Sequence, residues 1–326
     1  MDASFLNKTA YRLNLKAASD IIQYRTIFTF YISYMKERSM LRNGKAHPIR
    51  IISLLYVLCL VFRGIEYFVI RTDQSIVGEA FVHKLIGIAL LAVAIWILQY
   101  NWADIGFCPE QAIKGTLLGL LLGGGAFAVA YGAELFIQAA SGNTPIFQFY
   151  VTSYAIQGNR GMQEGFLFIL ICIVGNIINV VMEEGVFRGL FLRLMEEKHS
   201  FVKSCLFSSI LFGVWHIVQP VRNVLDGRQS IMGALMSGIL LVTTSTLLAI
   251  QFCMLLKITG SIWAGTAAHF VNNVSINLLH VSTATGVDQL QTVRIAIAQT
   301  LSFVVVLVLF LLYIRRKKRT KERLDC

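Results

Sequence analysis

The chain has 326 residues, of which 56% are hydrophobic and only 14% charged, and it carries a formal net charge of +11. A soluble domain holds about a quarter charged residues, so this composition, with a mean hydropathy of +0.65, excludes a soluble globular enzyme. It fits an all-α polytopic membrane bundle, because helices satisfy every backbone group internally within lipid.

The positive charge gathers at the two ends. The opening MDASFLNKTAYRLNLKAASD is polar and basic and lacks the continuous apolar core of a signal peptide. Residues 1–49 therefore read as a basic cytoplasmic arm, with an interfacial amphipathic helix near IFTFYISYM. The tail RRKKRTKERLDC, at 315–326, reads as a second cytoplasmic segment. Basic flanks beside apolar spans follow the positive-inside bias and call for a lipid bilayer rather than a nucleic-acid partner. The cysteines are scattered without a CxxC pair, so neither a zinc knuckle nor a disulfide framework is indicated.

About twenty apolar residues cross the hydrocarbon core. By that measure the sequence predicts about eight transmembrane helices between residues 50 and 314, at 50–71, 80–100, 114–138, 165–192, 201–218, 230–256, 260–280 and 292–314. NWADIGFCPEQ, SGNTPIFQFYVTSYAIQGNRGMQEG and QPVRNVLDGRQS read as the loops between them, and the Gly-rich LLGGGAF as a point of close helix approach. An even number of spans puts both basic ends on one side. Lys198, Lys203 and Lys257, which follow even-numbered spans, join them there.

Ionisable groups at membrane depth are costly and so mark function by default. They are Arg63, Glu66, Glu134, Glu183, Glu184, Arg188, His216 and His269, with Lys84 and Arg294 near span ends where they can snorkel. Arg63 and Glu66 are expected to neutralise each other across one helical turn, and Glu134 to reach the interface. The stretch VVMEEGVFRGLF is different. Glu184 and Arg188 are spaced to pair, which leaves Glu183 as a buried carboxylate without that cation, the condition of a general base. Asn176 and Asn179 extend its polar face. LFGVWHIVQP sets Phe212 one turn before His216, and GTAAHFVNNVSIN sets His269 one turn before Asn273.

A Glu and a His beside one water can polarise it for attack on a carbonyl, while a second His and an Asn can donate to the oxyanion. The same Glu183, His216 and His269 could instead hold zinc, although no HExxH helix is present. The ordered set EEGVFR, FGVWH, HFVNN resembles the CAAX prenyl endopeptidase and bacteriocin-processing family of intramembrane proteases, also called CPBP or ABI, over about residues 165–280. That resemblance implies a membrane protease domain over 50–314 acting on a membrane-associated peptide of prenylated, bacteriocin or signal type, and the short connections look bacterial. It casts Glu183 as base with His216 as its partner, His269 and Asn273 as the oxyanion pocket, and Glu184, Arg188 and Phe212 as structural or positioning groups. It leaves zinc open as a cofactor. Two other readings remain: a non-catalytic bacteriocin-immunity or regulatory scaffold of the same family, and a transporter, which would show a repeat that is not evident here.

Overall fold

Each expected span is a helix in the computed structural model, which describes residues 47–75, 80–152, 162–283 and 288–324. The basic arm and its IFTFYISYM segment lie outside the described residues. In chain order the helices are α1 (Pro48–Ile65), α2 (Val82–Ile97), α3 (Ala112–Ala140), α4 (Phe166–Glu183), α5 (Leu192–Glu196), α6 (Phe201–Trp215), α7 (Val218–Leu225), α8 (Ile231–Thr259), α9 (Trp263–Leu278) and α10 (Gln291–Leu324). Six helical stretches are long and apolar enough to cross a membrane. The two expected spans outside these six, α2 and α9, are each 16 residues, or about 24 Å at the α-helical rise.

Two turns of π-helix interrupt this α geometry. One, Glu66–Ile70, extends α1; the other, Glu184–Phe191, joins α4 to α5 and contains most of the EEGVFR motif. Such turns favour functional positions. Here the wider turn lets glycine approach its neighbours: a Cβ on Gly185 would lie 2.6 Å from Leu91, and one on Gly189 3.0 Å from the Ile105 carbonyl.

Small residues also set α3 against α9. A Cβ on Gly119 would collide with the Ala264 carbonyl, and Gly115 and Gly123 face Trp263 and Val271 in the same row. Close approach therefore comes from this four-residue spacing; of the three-glycine run only Gly123 takes part, since Gly124 and Gly125 face open space. Around the motif, the Phe187 ring meets Phe191, Phe212, Trp215 and Tyr56 at centroid distances of 5.4, 5.2, 5.9 and 6.2 Å. Edge-on aromatic packing of this kind ties the π segment to α6 and α1.

The bundle has two distinct ends. At one, Ile262 N–H donates to Gly106 O at 2.9 Å, Lys257 pairs with Glu196 at 2.9 Å and the Tyr100 hydroxyl donates to Glu197 at 2.8 Å. At the other, Arg71 pairs with Asp226 at 2.7 Å and Arg222 with Asp73 at 2.8 Å. The same end carries an antiparallel ladder of β1 (Ile146–Phe149) with β4 (Leu279–Ser282), and a shorter one of β2 (Val151–Thr152) with β3 (Met162–Gln163).

Several expectations are corrected. QPVRNVLDGRQS is not all loop, because α7 occupies its first half; Pro220 is tolerated in the first turn, where a backbone N–H has no helical partner. Glu66 does not pair with Arg63. The π turn aims it at the start of α2, where it accepts from Val82 N–H at 2.9 Å and from His83 N–H at 2.5 Å, besides meeting the His83 ring and the Thr72 hydroxyl. Glu134 and Arg294 reach no interface: both are about 1% exposed and pair with each other. Arg294 also binds Asp288 at 2.5 Å, and Asp288 meets His280 at 3.1 Å. Lys84 does not snorkel outward but is buried in a cavity wall.

Candidate active site

The three motif helices converge on a cavity of about 270 Å³ whose lining includes Glu183, His216, His269 and Asn273. Asn176 and Asn179 of α4 continue the wall, and Arg63, His83, Lys84 and Gln219 complete its polar side.

Glu183 ends α4 and is only 3% exposed. One carboxylate oxygen accepts from the Trp215 indole N–H at 3.0 Å, the other from Asn179 Nδ2 at 3.3 Å. Both donors are neutral. The carboxylate is thus oriented by neutral donors, and the His269 ring Nε2 lies 3.7 Å from its Oε2.

Glu184 faces another way. Its Oε1 meets His269 Nδ1 at 2.8 Å and its Oε2 lies 3.2 Å from Arg188 Nε. The expected Glu184–Arg188 pair is therefore present, and it is completed by a histidine from α9. Arg188 stacks its guanidinium 3.9 Å from the centre of the Phe212 ring. Phe212 in turn packs edge-on against His216 at 4.8 Å and against His269 at 6.1 Å. It acts as a spacer between the arginine and both imidazoles.

The histidine contacts define their tautomers. His216 Nδ1 sits 2.8 Å from the Phe212 carbonyl oxygen, which can only accept, so Nδ1 carries the proton. Nε2 of a neutral His216 is then a free acceptor. His269 Nδ1 likewise donates to Glu184, and Phe252 stacks on the ring at 5.3 Å. Its Nε2 accepts when the ring is neutral and donates when it is an imidazolium. Asn273, which lines the cavity, accepts at Oδ1 from Asn272 Nδ2 at 3.2 Å.

Sequence reasoning missed Trp215, Arg63 and Lys84. Trp215 is adjacent to His216, and an indole N–H buried in an apolar helix needs an acceptor; that was the available signal. Arg63 was obscured by its spacing from Glu66. Its guanidinium stacks on Trp215 at 4.3 Å and near Tyr67 at 5.0 Å. Among the described residues, no three His, Cys, Asp or Glu side chains are grouped to hold a metal ion.

Fold and site together define a multi-pass membrane protein with a buried carboxylate–histidine centre. Residues 165–275, about a third of the chain, match the family model described as type II CAAX prenyl endopeptidase Rce1-like, and over that stretch the chain is similar to that family. The match covers all three motif helices and ends just past Asn273. No curated protein and no solved structure matches the chain.

Proposed function

We propose that the protein is an intramembrane endopeptidase that hydrolyses a peptide bond of a membrane-associated peptide through water activated by Glu183 and His216. The observation that carries this reading is the Glu183 carboxylate, oriented by two neutral donors, in one cavity with His216, His269 and Asn273.

In this mechanism Glu183 takes a proton from a water held between its carboxylate and His216 Nε2. The resulting hydroxide attacks the scissile carbonyl carbon. Negative charge then develops on the carbonyl oxygen, and the Asn273 amide and a protonated His269 stabilise it by donated hydrogen bonds. Collapse of the tetrahedral species breaks the C–N bond. The proton held by Glu183 passes to the leaving amine, so the base returns to its starting form. Glu184 and Arg188 do no proton transfer. Glu184 holds the His269 ring at its Nδ1, and Arg188 holds Glu184.

The membrane domain spans residues 50–314 in this reading, with the basic segments at both of its ends cytoplasmic. A panel of labelled peptides, prenylated and plain, incubated with the purified full chain tests the activity. Cleavage by wild type that Glu183→Ala and His216→Ala both abolish is the expected result. Cleavage that survives loss of Glu183 contradicts the mechanism.

A further inference from the structure

The catalytic cavity is not symmetric along the bundle. Its lining residues lie in the middle of each helix or toward one end: Tyr67 in the turn closing α1, Lys84 in the first turn of α2, Leu241 in the first half of α8, and Asn277 in the last turn of α9. Glu183 and His269, near the middle of their spans, form its floor. The cavity therefore widens toward the end of the bundle that holds the Arg71–Asp226 and Arg222–Asp73 pairs and the β1–β4 ladder.

That end is electrically balanced. Arg71, Arg222 and Arg228 each pair with Asp73 or Asp226, and Arg294 is held by Asp288 and Glu134. The opposite end has a large basic excess. Arg193, Lys198, Lys203 and Lys257 cluster there with the run RRKKR at 315–319, against Asp104, Glu110, Glu196 and Glu197. Short loops and helix ends rich in Lys and Arg stay cytoplasmic, and the bias is counted within about 15–20 residues of the span ends. All of these residues fall in that zone.

From these two asymmetries we infer that the mouth of the catalytic cavity opens on the non-cytoplasmic side of the membrane. The substrate, on the protease reading above, is then a membrane-anchored peptide segment displayed on that side rather than a cytoplasmic protein tail. The scissile bond descends past Asn277 and Gln219 and meets Glu183 near the bilayer midplane.

The test is single-cysteine labelling of the full chain in sealed membranes of known sidedness. Cys108 and Cys326 are replaced by serine, while the buried Cys59, Cys172, Cys205 and Cys253 are retained. One reporter is Thr144→Cys, exposed beside the mouth; the other is Lys198→Cys, exposed at the basic end. A membrane-impermeant maleimide added from the non-cytoplasmic side is expected to label Thr144→Cys and to spare Lys198→Cys until the membrane is permeabilised. The reverse pattern, or equal labelling of both from one side, overturns the inference. This readout needs no activity, so a failure of the protease reading leaves it unchanged. If wild type cleaves a peptide, the second arm supplies that peptide to right-side-out and to inverted vesicles. Cleavage confined to the right-side-out set supports the inference, and cleavage confined to the inverted set overturns it.

Discussion

Two buried ionic clusters in this bundle look alike in composition and differ in use. Around Arg294, the carboxylates of Glu134 and Asp288 close directly on the guanidinium, and His280 closes on Asp288. None of these four side chains lines the 270 Å³ cavity. Around Glu183 the two hydrogen-bond donors, Trp215 and Asn179, are neutral, the His269 ring stands off at 3.7 Å, and the carboxylate faces that cavity. A buried charge at membrane depth is therefore not in itself a mark of chemistry. What separates base from clasp is whether the carboxylate is neutralised by contact and whether a substrate can reach it.

The sharpest way to break the comparison is to remove one carboxylate charge from the centre. Glu183→Gln keeps the Trp215 bond and is expected to lower the cleavage rate by about 10²–10⁴, the usual worth of a general base, with the melting temperature nearly unchanged. Arg294→Met does the opposite. It leaves Glu134 and Asp288 buried without their cation, at about 3–5 kcal/mol for a broken buried pair, while the rate per folded molecule stays near wild type. Thermal unfolding in detergent, read beside initial rates, separates the two.

Glu184→Gln should fall between them. It weakens the hold on His269 Nδ1, and a misplaced catalytic group costs about 10²-fold; the chain also loses stability because Arg188 remains buried. Trp215→Phe removes one oriented donor to Glu183, at about 1–3 kcal/mol for an unsatisfied buried acceptor, with a modest loss of rate. The smallest effect is expected at the mouth. Burial alone would push the Asp226 carboxyl up, but Arg71, Arg222 and Arg228 draw it below its ordinary value. A lowered carboxyl contributes stability that is complete above the unfolded value of about 3.9 and is lost as pH falls through the folded one. Unfolding followed from pH 7 down should show this end loosening only in strong acid, and Asp226→Asn should flatten that dependence.

The sequence was most legible where apolar runs are interrupted. Glu183, Glu184, Arg188, His216 and His269 stood out because such groups are rare at membrane depth, and their cavity gathers four of the expected site residues. Span positions followed from the length of apolar runs. The π turns were not legible, because five or eight residues cannot distinguish a bond to the fifth residue from one to the fourth by apolar spacing. One consequence was the wrong partner for Glu66. The Glu134–Arg294 pair was hidden for a different reason: its members lie 160 positions apart, and nothing local in either helix signals the other.

The most direct test of the account compares initial cleavage rate and melting temperature for wild type, Glu183→Gln and Arg294→Met in one detergent preparation. The account expects Glu183→Gln to be folded and inactive, and Arg294→Met to be destabilised yet active while folded. An active Glu183→Gln, or an Arg294→Met that keeps its stability and loses its activity, would contradict it.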